Sequence, residues 1–507
     1  MTETLLLSIL LAADAGVVHR YYDSHDDTRL VPMVQEVVRF ATVADNTKAH
    51  ADQKAWLQKT AAGLGLAVND AGPVTEIELP GPKGAPVLGL VVHGDVQPVE
   101  ESAWSVPPFS GEVKDGSVWG RGTADDKGAL VQALLALHAL RESGVTRTHT
   151  VRLLVGSDEE SGGKDVTTYL KDHAAPDYSL VLDAVFPVVV GEKAWNALRL
   201  TAGEASASPS AGPALPYKVE SIDAGLSPGI VPDRARLVLR WREGKPDWSA
   251  LKKRLAGRAP APGTELEVTE SGGDLVVSMK GRSAHSGMNI EGGRNALVSL
   301  ANVVASDLPP GGAGDLLRFV RKAGVDLRGT GLELPAPDAL WRGYDVTPAM
   351  IKVIDGKLTL TINIRRPRPW TGPDLKKHLA GVVERWNAAN GVKLVADPAF
   401  FYDDEPYAVD PQSPLVQRLL AAYRRATGEK DAGPTVIGGG TYAKRMPQAI
   451  VFGTWFSANP YPGHDVDEHM PVDDLRRGTH VLIEALVDLA CGARLTTALA
   501  PSGEAGH

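Results

Sequence analysis

Cysteine is almost missing from this chain: among 507 residues it occurs once, as Cys491. One thiol cannot close an internal disulfide, and it excludes a metal site built from several cysteines. Any metal here must draw its ligands from histidine, aspartate and glutamate, and 13 histidines and 62 acids supply candidates. Long apolar runs are missing as well. No segment reaches about 18 uninterrupted apolar residues, the least that reads as a membrane span. There is no long Lys/Arg block, and the formal charge of −9 is mild and dispersed. That leaves a nucleic-acid partner without an electrostatic footprint, and no membrane partner is expected. What remains is 43% hydrophobic and 23% charged, the balance of a soluble globular protein. At roughly 100–200 residues per domain the length predicts two to four units.

The N-terminus carries one short apolar run, LLLSILLAADA, from Leu5 to Ala15. It ends in Ala13-Asp14-Ala15, the A-x-A pattern of a secretory cleavage site, whereas Glu3 and the lack of an early Lys or Arg favour a first helix. A periplasmic or secreted location is favoured over a cytoplasmic one. The run is too short to anchor in a bilayer.

Along the rest of the chain the hydrophobic period alternates. Arg29 to Ala44 and Asp52 to Leu64 have helical spacing, VTEIELP and PVLGLVVHGD read as strands, and Asp126 to Gly144 is a long helix. THTVRLLVGSDEE is strand then turn, DVTTYLKDH is helical, and YSLVLDA is a buried strand. Strand alternating with helix predicts an α/β unit with a mostly parallel sheet. Near Lys193 the composition shifts to Ala, Ser, Pro and Gly, and the strands that follow, RARLVLRW, LVVSMKG and KLTLTINIRRP, look antiparallel. DLKKHLAGVVERWNAAN reads as a helix closed by Gly391. After Asp397 the α/β pattern returns. The expected organisation is an extension (1–27), the first part of a catalytic domain (28–193), an inserted α+β lid (194–398), the second catalytic part (399–492) and a tail (493–507).

Ligands in open α/β sheets collect at the carboxyl ends of the strands. His93 and Asp95 end one apolar run, Glu159 and Glu160 end another, and Asp183 a third, while Asp125 and Asp126 precede a helix. Near the C-terminus PGHDVDEHM offers His464 and His469. Each has an ordinary reading, such as a helix-opening acid or a solvated turn. Together they crowd carboxylates at one sheet edge, where like charges repel unless cations sit among them. A pair of divalent ions, about 3.5–4 Å apart in two-metal hydrolases, resolves this. Mixed imidazole and carboxylate ligands suit zinc, with manganese or cobalt as alternatives.

The segments HGD, GRGTADDKG, GSDEESGG, DAVFP, GRSAHSG, INIRRP, GGGTYA and PGHDVDEHM stand in the order of the M20 metallopeptidases. The chain most resembles their Xaa-His dipeptidase, carnosinase-like branch, typified by bacterial PepV, from about Arg29 to Ala490. The resemblance implies a zinc-hydrolase catalytic domain with two zinc ions per chain. His93 and Asp183 would hold one ion, Glu160 and His469 the other, and Asp125 would bridge them. His469 is preferred to His464, which directly follows Gly463. Asp95 would orient His93, and Glu159 would be the general base. His285, in KGRSAHSG, matches the lid histidine that donates to the developing oxyanion. Arg365 matches the arginine that binds the substrate's terminal carboxylate, and Gly439, Gly440 and Thr441 lie in a loop that approaches substrate.

The implied reaction is hydrolysis of a dipeptide or short peptide with a free C-terminal carboxylate. An N-acyl-amino-acid deacylase or carboxypeptidase would use the same centre, and a non-catalytic binding protein would keep the fold without the chemistry. The large insert carries its own His285, so a monomer is expected. Two departures stand out. Relatives carry Asn-x-Val-Pro where this chain has Gly229-Ile230-Val231-Pro232, and their His-x-x-Asn-Glu becomes His469-Met470-Pro471-Val472-Asp473.

Overall fold

In the computed structural model the described residues are 15–203, 215–336, 341–403, 405–456, 460–495 and 498–499. All of the apolar run at Leu5–Ala15 except Ala15 lies outside them. Among the described residues no helix is long and apolar enough to cross a membrane.

The chain divides into two compact units. The first takes Met1–Glu192, Tyr407–Val436 and Gly440–His507, and the second takes Lys193–Pro406 with Ile437–Gly439. The chain crosses at 192/193, 406/407, 436/437 and 439/440, against the expected boundaries 193/194 and 398/399.

The main sheet of the first unit runs Ala67–Ala71, Val74–Leu79, Thr150–Gly156, Val87–His93, Tyr178–Val181, Ala449–Val451, Val189–Glu192, Tyr407–Ala408. It is parallel only at its centre. Thr150–Gly156 pairs parallel with Val87–His93, which pairs parallel with Tyr178–Val181, which pairs parallel with Ala449–Val451. The strands on either side run antiparallel. The expectation of a mostly parallel sheet is corrected to a mixed one. Its central strands are buried almost throughout, as a sheet covered on both faces requires.

The helix Lys127–Glu142 shows why the sequence folds this way. Its Ala- and Leu-rich run has high helix propensity, and Ala129 to Leu137 are all buried, so it packs on every side. Helices Asp27–Val38 and Val472–Cys491 lie against it. Gly144, with φ +69°, follows its end, a conformation glycine adopts without penalty.

The second unit is built on an eight-stranded antiparallel sheet: Glu265–Ser271, Asp274–Lys280, Arg234–Trp241, Tyr217–Ala224, Asp345–Ile354, Lys357–Arg366, Ala194–Ala202, Leu394–Asp403. Its alternation buries Leu237, Val277, Ile351, Leu360 and Ile362 against Leu300 and Phe319 of the helices Ala296–Val304 and Gly312–Ala323. The helix Gly372–Asn390 opens on a Thr371/Asp374 capping box and closes on Gly391 in the left-handed region, a pair of signals that each stabilise a helix end.

Candidate metal centre

Three adjacent parallel strands deliver the centre. His93 is the last residue of Val87–His93, Glu159 and Glu160 sit in the turn after Thr150–Gly156, and Asp183 follows Tyr178–Val181. Asp125 and Asp126 come from the loop that opens the helix Lys127–Glu142. All belong to the first unit.

Asp125 lies in the middle. Its Oδ1 is 2.9 Å from His93 Nε2, and Asp183 Oδ1 is 3.8 Å from the same nitrogen. Its other oxygen, Oδ2, is 3.4 Å from Nε2 of His464, which is 3.0 Å from Glu160 Oε1. Two half-sites, His93 with Asp183 and His464 with Glu160, thus share one carboxylate. Ligand atoms of His93, Asp125 and Glu160 lie within 4.8 Å of one another, as do those of His93, Asp126 and Asp183.

The electrostatics follow from this crowding. Burial alone would lower His93 and His464, but the carboxylates outweigh it. Asp183 and Asp125 hold His93 well above its ordinary value, and Glu160 and Asp125 raise His464 to about 10. Burial raises Asp183 to about 7. Burial, then the charge of Asp183, lifts Glu159 and Asp126 well above the carboxylate range. Burial also acts to raise Asp125, but His464 and His93 hold it well below that range. A cluster with so much negative charge demands cations, and hard oxygens mixed with imidazoles match a divalent ion of the zinc kind.

The choice of His469 over His464 is reversed by this geometry. His469 lies on the short strand His469–Pro471, its ring stacked 4.4 Å from Trp119 and its Nδ1 2.8 Å from the Asp467 carbonyl. His464 occupies the loop before it, in a left-handed conformation with φ +65° that turns its ring to Glu160. A sequence signal was available: His464-Asp465-Val466-Asp467-Glu468 copies His-x-x-Asn-Glu with Asp for Asn.

Glu468 was missed for the same reason. Its fully buried carboxylate accepts from Arg121 at 2.7 Å and from the backbone N–H groups of Gly122, Ala124 and Asp125 at 3.1, 2.9 and 3.2 Å. It therefore folds the Asp125 loop around itself. Gln97, also missed, donates to Glu160 Oε2 at 2.8 Å.

Asp95 does more than orient His93. His93 Nδ1 is 3.0 Å from the Asp95 carbonyl and 3.5 Å from its carboxylate. That carboxylate also accepts the backbone N–H of Glu159 at 3.2 Å and of Glu160 at 3.0 Å, so it fastens the two glutamates to the His93 strand. Asp158, beside them, accepts the N–H of Lys164 and opens the helix Lys164–Asp172.

Thr441 has internal partners. Its hydroxyl donates to Glu192 Oε1 at 2.7 Å and accepts from the Ala443 N–H at 3.1 Å. Burial raises Glu192 to about 7, against the pull of Lys444 and Thr441. A methyl on Gly440 would touch the Lys444 side chain at 3.3 Å.

In the second unit, His285 and Arg365 stand near each other. The buried ring of His285 accepts at Nδ1 from the N–H groups of Gly287 and Met288, at 2.9 and 2.8 Å. The neutral ring therefore carries its proton on Nε2 and is a donor there. Arg365 reaches Ser286 Oγ at 3.4 Å, and its guanidinium lies 5.8 Å from the ring centre of Trp195. Ile230, in the stretch where relatives carry Asn-x-Val-Pro, pairs as a β-bridge with His285. Gly439 packs on Met288, with 2.7 Å from its missing Cβ to the sulfur.

Comparison with known proteins decides the family. The profile of peptidase family M20/M25/M40 matches residues 89–488. The chain belongs to this family. Among M20 relatives, the putative dipeptidase YtjP of Bacillus subtilis is 28% identical over 420 residues, covering 80% of this chain and 84% of the relative. The Beta-Ala-Xaa dipeptidase of Lactobacillus delbrueckii subsp. lactis is 27% identical over 409 residues, covering 79% and 82%. Human carnosine dipeptidase 1 shares the fold, with a TM-score of 0.56 at 15% identity over 94% of this chain and 98% of that one. Dug1p, a di-peptidase of Saccharomyces cerevisiae, gives 0.57 at 13% identity over 93% and 98%.

Proposed function

We propose that this M20 enzyme is a metal-dependent dipeptidase that hydrolyses dipeptides or short peptides with a free C-terminal carboxylate. The observation that carries the reading is the placement of Asp125, with one oxygen toward His93 and the other toward His464. His93 and Asp183 would hold one divalent ion, Glu160 and His464 the other, and Asp125 both. The names of the relatives, putative dipeptidase and Beta-Ala-Xaa dipeptidase, support the substrate class. When bound, a zinc pair would supply Lewis acidity for the attacking water and the scissile carbonyl.

The rest of the chemistry falls to the chain. Glu159, raised by burial and by Asp183, has the affinity to take a proton from water and return it to the leaving amine. Asp95 holds the backbone of Glu159 and Glu160, so proton carrier and ligand keep their separate directions. His285 offers an N–H from Nε2 to the oxygen that gains charge, and Arg365 offers a guanidinium to the substrate's carboxylate. Both come from the insert, whose large size, as in the single-chain branch that the sequence resembles, is the ground for proposing a monomer.

The test is Glu159→Gln against Glu160→Ala. Glu159→Gln should keep the full metal complement and lose about 10²–10⁴ in kcat, whereas Glu160→Ala should lose an ion as well. Equal retention of activity in both would overturn the roles. A panel of dipeptides, tripeptides and N-acetyl amino acids tests the substrate class, and turnover of the N-acetyl compounds alone would move the assignment to a deacylase. A purified chain holding less than one tightly bound ion, inactive after zinc or manganese is added, would be a binding protein.

A further inference from the structure

The turn that carries Glu159 and Glu160 is held by two carboxylates, and only one of them, Asp95, has a part in the chemistry above. Four consecutive backbone N–H groups, from Ser157 to Glu160, each find a carboxylate. Asp95 takes those of Glu159 and Glu160. Asp165, on the helix Lys164–Asp172, takes the other two: its Oδ2 accepts from Ser157 at 2.6 Å and from Asp158 at 3.0 Å. The same oxygen lies 2.5 Å from the hydroxyl of Tyr442. Both side chains are buried. An ionised carboxylate can only accept, so the phenol is the donor. Burial, then the charge of Asp165, pushes the phenol well above its ordinary value and keeps its proton in place.

Tyr442 reaches this oxygen through space that a glycine leaves. A Cβ on Gly156, the last residue of the strand Thr150–Gly156, would run into the Tyr442 hydroxyl and lie 2.6 Å from Asp165 Oδ2. At the other end of GSDEESGG, a Cβ on Gly163 would lie 2.5 Å from Arg445 Nε. The 3₁₀ turn Tyr442–Lys444 and the residue after it thus grip the glutamate turn at its first and last glycines. The Tyr442 ring also stands nearly perpendicular to the imidazole of His93, with ring centres 6.5 Å apart. All these residues belong to the first unit. With only its two N–H partners, the Asp165 carboxylate could travel with the turn. The phenol comes from a distant part of the chain and ties that carboxylate to the framework beside His93. Such a tie matters for rate, since a misplacement of about 1 Å can cost 10²-fold.

We propose that Tyr442 and Asp165 are positioning residues of this enzyme: the Tyr442 hydroxyl locks Asp165, and Asp165 sets the turn on which Glu159 and Glu160 stand. This rests on the roles given above to the two glutamates.

The test is Tyr442→Phe in the full-length, zinc-loaded chain, with Tyr169→Phe as its control. Tyr169 lies on the same helix as Asp165 and donates a buried phenol hydrogen bond to Glu76. Its variant loses a comparable bond without removing any from the turn. Tyr442→Phe should lower kcat on a dipeptide about 10- to 100-fold, leave KM within about twofold, and speed the release of zinc to a chelator. Tyr169→Phe should keep wild-type values of all three. Wild-type kcat and zinc release in Tyr442→Phe, or equal losses in both variants, would overturn the proposal. A wild-type chain that binds zinc and cleaves no dipeptide would overturn the dipeptidase reading instead. Zinc release would then decide alone, and only faster release from Tyr442→Phe than from Tyr169→Phe would support the positioning role. Should Tyr442→Phe not fold, Asp165→Asn and Asp165→Ala give the answer. The first keeps an acceptor oxygen and should retain most of the kcat that the second loses, and equal values in the two would overturn the proposal.

Discussion

Glu468 and His464 carry the predictions that belong to single residues. Glu468 is the buried anchor of the Asp125 loop. Removing one member of a buried, hydrogen-bonded pair strands the other, at a cost of about 3–5 kcal/mol. Glu468→Ala should therefore shift the urea midpoint well down and release metal, while Glu468→Gln should retain most of the stability. An unchanged midpoint in Glu468→Ala would show that Arg121 does not depend on it. His464→Ala should lose an ion and nearly all turnover. His469→Ala should keep both and give up only its stack on Trp119, about 0.5–1.5 kcal/mol. The reverse result would restore His469 as the candidate ligand. The sequence showed His93, Asp125, Glu160 and Asp183 because each stands at a strand end or helix start that hydrophobic period reveals. Hydrophobic period does not show which histidine of PGHDVDEHM turns inward; only the likeness of His464–Glu468 to His-x-x-Asn-Glu marks it. The inward turn depends on two left-handed residues in an aperiodic loop, His464 at φ +65° and Asp467 at φ +62°.

Among the elements, the loop that carries His285 and the glycine-rich segment Ile437–Gly439 are fitted backbone to backbone. A Cβ on Gly287 would lie 2.3 Å from the Gly438 carbonyl oxygen, and one on Gly438 would lie 2.3 Å from the Gly287 carbonyl oxygen. Neither carbonyl can withdraw as a flexible side chain would. Overpacking of this kind costs about 1–3 kcal/mol, and here it should also displace His285. Gly287→Ala is expected to lower kcat/KM on dipeptides while leaving the metal content unchanged. Wild-type kinetics would mean that the loop position does not matter. The elements themselves were largely readable, since the helices Pro414–Thr427 and Gly372–Asn390 follow a helical period and carry their glycine stops. The direction of strand pairing was not. Thr150–Gly156 pairs parallel with Val87–His93 on one side and antiparallel with Val74–Leu79 on the other, because pairing is chosen by the route of the chain as well as by composition.

For the molecule as a whole, every residue of the candidate metal centre belongs to the first unit, and both His285 and Arg365 belong to the second. A shortened chain that joins Glu192 to Tyr407 through an Asn-Gly turn, the favoured two-residue hairpin connection, should separate metal binding from turnover. It is expected to melt cooperatively and bind divalent ions, yet leave dipeptides intact. Loss of metal binding in a folded product would show that the first unit is not sufficient for it. The register makes such surgery natural. Glu192 is the last residue before the chain leaves the first unit, Tyr407 is the first after it returns, and the two are direct partners in the antiparallel pairing of Val189–Glu192 with Tyr407–Ala408. In evolutionary terms the stretch 193–406 leaves and re-enters the first unit at one hairpin position, and only Ile437–Gly439 joins it from elsewhere in the chain. A gene could acquire, lengthen or exchange that cassette without redrawing the sheet that bears the chemistry, so substrate preference can drift in the insert while the catalytic sheet stays under its own selection.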